Sequence, residues 1–273
     1  MNSDKILINS FKETYSKGNT SKELYWRLLK SYNEVWSKHN ESTNLGCMEL
    51  IAKNTEYFLK DIRDDALLEN RSILTLVAVS ELYIFAMKKS IDSLVSNDDR
   101  QDRMLSMGNR LINNFSQCKE KIFKFSEHII KDEDTILVIG FSSLILNILL
   151  ETKKKNLNLT IKILELQPDC DGHLMYSKLT EQGISCSLVA DSLLAVQIEK
   201  VDYVITGAEA VTENGGVINR CGTYTTAIVA KALQKPFYVF SENYKFLRVF
   251  PHSINDIDFM TESIVIYIHY LVK

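Results

Sequence analysis

The residues best placed to do chemistry lie in one stretch late in the chain. Val204-Ile-Thr-Gly-Ala-Glu-Ala210 is an apolar run that ends in a turn of small residues carrying a carboxylate, Glu209. Asn214-Gly215-Gly216 then reads as a tight hairpin that returns the chain. Asn219, Arg220, Gly222 and Thr223 follow and open a helix. The first turn of a helix presents backbone N–H groups without intrahelical acceptors, so a glycine and an arginine beside it make a seat for phosphate. Glu209 and Asn219 would serve the hydroxyls of a ligand held there. A plainer reading has Thr223 capping the helix and Glu209 facing water. Local features weigh equally for both.

Few other chemistries are signalled. The sequence holds no GxGxxG after a strand, no GxxxxGK[ST] loop, no HExxH and no GxSxG. His39, His128, His173, His252 and His269 do not cluster. Cys47, Cys118, Cys170, Cys186 and Cys221 are odd in number, scattered and without a CxxC pair, which fits reduced thiols in a cytoplasmic protein. No metal site and no cofactor are expected. A net charge of -3 gives no sign of a nucleic-acid or anionic-membrane partner. The longest apolar run, Ser72 to Met87, contains Glu81 and is too short to span a bilayer. Met1 to Ser10 has no apolar stretch behind a basic start, so no secretory signal is read there.

The elements that must position these residues follow from proline and period. All three prolines lie beyond residue 167, so the first half can run as uninterrupted helix. Tyr25, Leu28, Leu29, Tyr32 and Trp36 recur at helical spacing, as do Leu111, Phe115, Cys118, Ile122, Phe125 and Ile129. Helices are predicted over 21–38, 47–69, 72–95 and 99–131, the stripes read as the buried faces of a bundle in preference to a coiled-coil seam. From Thr135 the pattern alternates, with strands at 135–139, 160–166, 185–189, 203–206 and 237–240. Helices near 142–155, 171–182, 191–200 and 222–234 lie between them. The fold class is α/β: a helical N-terminal domain, then a Rossmann-like, mostly parallel sheet covered on both faces. Such sheets bind ligands at the carboxyl ends of their strands. Those ends are Gly140-Phe141-Ser142, Glu165 to Pro168, Asp191, and Gly207 to Glu209.

The segment from Val204 to Pro251 carries a resemblance. With Lys235-Pro-Phe-Tyr-Val239 and Ser241-Glu-Asn-Tyr-Lys-Phe-Leu-Arg-Val-Phe-Pro251, it closely resembles the alpha-type subunits of the initiation factor 2B family. Glu165-Leu-Gln-Pro-Asp-Cys-Asp-Gly172 matches that family's strand-end loop. Methylthioribose-1-phosphate isomerase and ribose-1,5-bisphosphate isomerase are relatives in the same family. The resemblance implies a helical domain over 1–131 and an α/β domain over 132–273. The isomerases use a cysteine after the first strand of the α/β domain and an aspartate in a Gly-Ala-Asp turn. Here those positions are Gly140 and Glu209, and Gln167 replaces an arginine before proline. Proton transfer between adjacent carbons needs an acid and a base facing one another, so the resemblance implies a protein that is not an enzyme.

What it implies instead is a regulatory subunit of the guanine-nucleotide exchange complex for initiation factor 2. That subunit bridges the complex as a homodimer, contacts its other subunits and helps sense the phosphorylated alpha subunit of initiation factor 2. Arg71, Lys88 and Lys89 are the candidate basic surface for that contact. A sugar phosphate could still bind without turnover, on Glu165, Asp191, Glu209, Asn219, Arg220, Gly222 and Thr223. The alternatives are a sugar-phosphate isomerase or a free sugar-phosphate sensor of the same fold. The terminal run Ile264–Val272 is expected to be a docking helix.

Overall fold

A computed structural model describes residues 5–16, 24–38, 43–63, 73–92, 100–252 and 265–268. The chain packs as two units, Met1–Gln117 with Asn243–Arg248, and Cys118–Glu242 with Val249–Lys273.

The first unit is helical: α1 (Ile6–Ser16), α2 (Leu24–Lys38), α3 (Asn44–Arg63), α4 (Leu74–Asp92) and α5 (Arg100–Ser116). The periodic residues of α2 form its buried face, with Tyr25, Leu28, Leu29, Tyr32 and Trp36 all in the core. Tyr32 stacks on Tyr83 of α4 at 4.2 Å between ring centroids, and the Trp36 indole N–H donates to the Tyr83 hydroxyl at 2.9 Å. Burial pushes the Tyr32 hydroxyl up to about 12, so this polar pair stays neutral inside the core.

The sequence reading did not foresee α1. It also merged two helices, since the single helix expected over 99–131 divides at Gln117 into α5 and α6 (Cys118–Ile129). Arg71 lies outside the described residues.

The return segment Asn243–Arg248 explains part of the Ser241–Pro251 motif. A 3-10 turn at Asn243–Lys245 and a short strand, β8 (Phe246–Leu247), follow one another there. Tyr244 is buried, stacked on Tyr25 at 4.2 Å and set against Phe115 at 5.4 Å. The Arg248 N–H donates to Glu81 Oε2 at 3.0 Å, and its guanidinium lies 4.4 Å from the Phe85 ring centroid. These residues complete the core of the helical unit.

The second unit is built on five parallel strands: β1 (Thr135–Ile139), β2 (Thr160–Leu164), β3 (Cys186–Val189), β4 (Tyr203–Thr206) and β7 (Phe237–Val239), in the order β3-β2-β1-β4-β7. Alternation along each strand feeds two separate cores. Ile136, Val138, Ile161, Ile163, Tyr203 and Ile205 pack with α7 (Ser143–Lys154) and α8 (Asp171–Glu181). Leu137, Ile139, Leu164, Val189, Val204 and Phe237 pack with α9 (Leu194–Ile198) and α10 (Thr223–Ala232) on the other face. The central strands β1 and β4 are accordingly buried almost throughout, as a doubly covered parallel sheet requires. The chain winds outward from β1 to β3, then returns to lay β4 on the other side of β1. That reversal places the ligand crevice of this fold class at the ends of β1 and β4.

A smaller antiparallel group comprises β5 (Ala210–Thr212), β6 (Val217–Arg220) and β9 (Val265–Ile268). The Thr212 N–H donates to Gly216 O at 2.9 Å across the Asn214-Gly215 turn, with Gly215 at φ 81°. Val265–Ile268 corrects the docking helix expected at the C-terminus. This stretch of β-branched and aromatic residues pairs with β6, from Val217 opposite Ile268 to Arg220 opposite Val265. Ile264 and Val272 lie outside the described residues.

Candidate functional site

The ends of β1, β2, β4 and β6 and the starts of α8 and α10 deliver the polar residues. Glu209 follows the Gly207-Ala208 turn after β4 and is fixed by its N–H, which donates to Ile218 O at 3.0 Å. Arg220 ends β6. Its Nη1 donates to Asp171 Oδ2, and its Nε lies 3.5 Å from Glu209 Oε1. All three side chains are largely shielded from solvent. Burial pushes the Asp171 carboxyl up and Asp169 adds to this, while the neighbouring Arg220 opposes it.

The remaining expected residues take different parts. Asp191 receives the Leu166 N–H on Oδ1 at 3.1 Å and the Gln167 N–H on Oδ2 at 2.7 Å, so it fastens the loop after β2. The Asn219 amide donates to Thr206 Oγ1 and Gly207 O, both at 3.1 Å, tying β6 to the turn that carries Glu209. Glu165 Oε1 is 3.9 Å from His173 Nε2 of α8. Gly222, at φ 84°, is the N-cap of α10. Thr223, the first residue of that helix, is wholly buried, and its hydroxyl has no hydrogen-bond partner among the described residues.

Gly140 follows β1 with φ +56°, a conformation that strains any side chain. A Cβ there would fall 2.6 Å from Leu166 Cδ2. Glycine leaves this position without a side chain, and a larger residue would have to displace the Leu166 methyl.

Two contributors escaped the sequence reading. Asp171 sits at the first position of a helix that follows a strand end, where an acid meets the helix dipole, and that placement could have singled it out. Leu166 had no such signal, because its φ of +62° belongs to a loop read as the end of a strand. Among the described residues, no group of three His, Cys, Asp or Glu side chains could hold a metal ion, and no helix is long and apolar enough to cross a membrane.

A helical unit combined with a Rossmann-like parallel α/β unit, with a carboxylate–arginine cluster at the switch point, defines the class of protein. Residues 16–268 match the Initiation factor 2 subunit family, and the chain belongs to it. It is 34% identical over 226 residues to translation initiation factor eIF2B subunit alpha of Dictyostelium discoideum, covering 82% of this chain and 68% of that one. It is 30% identical over 172 residues to ribose 1,5-bisphosphate isomerase of Archaeoglobus fulgidus, covering 63% of this chain and 54% of that one. Its fold is similar to a chain of the tetrameric eIF2B-beta2-delta2 complex from C. thermophilum, with a TM-score of 0.75, 17% identity, and coverage of 99% of this chain and 89% of that one.

Proposed function

We propose that this chain is a non-catalytic, alpha-type regulatory subunit of initiation factor 2B. In this reading it bridges two copies of the other subunits as a homodimer, in the cytoplasm, and helps sense the phosphorylated alpha subunit of initiation factor 2. The observation that carries the non-enzymatic part is Gly140, which offers no proton-transfer side chain at the position just after β1, where φ +56° disfavours any replacement. The similarity to the Dictyostelium alpha subunit supports the assembly part.

The strand-end site keeps a ligand in this reading. A sugar phosphate places its phosphate on the first-turn N–H groups of α10 at Gly222 and Thr223, where the buried Thr223 hydroxyl awaits a partner. Its hydroxyls face Glu209 and Asp171, bridged by Arg220. Asp191, Asn219 and Glu165 shape the loops around it.

The test is the mass of the assembly recovered with the tagged chain from its own cell extract. Recovery of four further initiation-factor subunits bears the proposal out. A lone dimer of the 31.3 kDa chain rejects the bridging role and favours a free sugar-phosphate sensor.

A further inference from the structure

We infer that Leu166 sets the size of ligand that the strand-end site accepts, an inference that rests on the sugar-phosphate reading of that site. Leu166 lies after β2 and is almost fully buried. Its two methyl groups reach two different glycines. Cδ2 lies 2.6 Å from where a Cβ at Gly140 would be, and Cδ1 lies 2.6 Å from where a Cβ at Gly222 would be. Gly140 follows β1, and Gly222 caps the helix whose first turn seats the phosphate. One isopropyl group thus spans the space between the anion seat and the end of β1. A ligand carbon chain running from the phosphate toward Gly140 would have to occupy the same volume.

The backbone holds this wedge in place. Leu166 is left-handed at φ +62°, with its N–H on Asp191 Oδ1 at 3.1 Å and its carbonyl accepting the Cys170 N–H at 2.9 Å. These ties fix the Leu166 backbone, and the side chain's burial restricts its rotation. The ligand is therefore confined to the side of the crevice that carries Glu209, Asp171 and Arg220. Leu166 acts by exclusion and touches no reacting atom.

Calorimetric titration of the full chain with inorganic phosphate, ribose 5-phosphate and glucose 6-phosphate tests this. One methylene of room in a pocket discriminates ligands by about 10-fold or more. Leu166→Ala should raise the affinity ratio of glucose 6-phosphate to inorganic phosphate by about that factor, whereas Leu166→Met should leave it near the wild-type value. Should Leu166→Ala not fold, Leu166→Gly carries the same test, because glycine suits φ +62°. An unchanged ratio with inorganic phosphate still bound overturns the inference alone. A parallel weakening of all three ligands does the same, by reducing Leu166 to a packing residue. Failure of the wild-type chain to bind inorganic phosphate at all overturns the sugar-phosphate reading and this inference with it.

Discussion

Arg220 joins two carboxylates delivered by different elements, donating through Nη1 to Asp171 at the start of α8 and lying with Nε 3.5 Å from Glu209 Oε1 beyond β4. The guanidinium is therefore a tie between strand ends before it is an anion ligand. Its planar fork meets the two acceptors from different edges in a fixed geometry, which the compact ammonium of a lysine does not reproduce. Arg220→Lys should loosen the Glu209 turn and weaken phosphate binding. Arg220→Ala should also destabilise the second unit, because it leaves two partly buried carboxylates facing one another. Thermal melts and phosphate titrations of both variants check this, and wild-type stability in Arg220→Ala would remove the structural role.

The sign of a pH effect at Asp171 follows from its environment. Burial raises its folded-state pKa above the ordinary 3.8, so the folded protein holds that proton more tightly than the unfolded chain. Its contribution to stability is thus fully present below 3.8 and is lost as pH rises through the folded value. Asp171→Asn should remove this dependence and flatten the stability profile above 3.8. Removing Arg220, which opposes the upward shift, should move the loss to higher pH. Denaturant midpoints across that range measure it. A profile unchanged by Asp171→Asn would show that other groups set the slope.

Gly140 and Leu166 should be energetically coupled. Gly140→Ala forces a Cβ into a left-handed backbone and against Leu166 Cδ2, which together should cost about 1–3 kcal/mol. Leu166→Ala removes the clash but not the backbone strain. The double variant should therefore be more stable than the sum of the single effects predicts, by about 0.5 kcal/mol or more. Chemical denaturation of the four proteins gives the cycle, and simple additivity would contradict the contact.

The architecture was legible because proline placement and period report on the whole chain. Proline-free stripes such as Tyr25 to Trp36 gave the helical unit, and the apolar runs from Thr135 gave a sheet buried on both faces. Glu209, Arg220, Gly222 and Thr223 were visible as a turn and a helix start, and the structure brings Glu209 and Arg220 into one cluster. What could not be read was non-local. Asp171 reaches Arg220 across 49 positions, and Leu166 meets Gly140 and Gly222 only through a left-handed loop pinned by Asp191. Val265–Ile268 looked like a docking helix because the pairing that makes it a strand lies on β6.

Regulation should map to the helical unit. Lys88 and Lys89 are exposed at the end of α4. Reversing both to Glu should blunt the inhibition of nucleotide exchange by phosphorylated initiation factor 2 while leaving basal exchange unchanged. An exchange assay on the reconstituted complex, with and without the phosphorylated factor, reads both quantities. Full inhibition in the double variant would exclude this patch.

The strand-end site should bind a phosphorylated sugar without isomerising it. Binding needs an anion seat and hydroxyl partners, which the start of α10 and the Glu209–Arg220–Asp171 cluster supply. Isomerisation needs a second proton-transfer group working with Glu209, and Gly140 supplies none at the position after β1. Loss of such a group typically costs about 10²–10⁴ in rate, and the longer reach of Glu209 relative to an aspartate adds to it. Calorimetry with ribose 5-phosphate should therefore show binding that weakens in Glu209→Ala, while aldose-to-ketose conversion stays at background. Turnover by the wild-type chain that disappears in Glu209→Ala would establish an isomerase, with Asp171 as the first group to examine for the missing proton transfer.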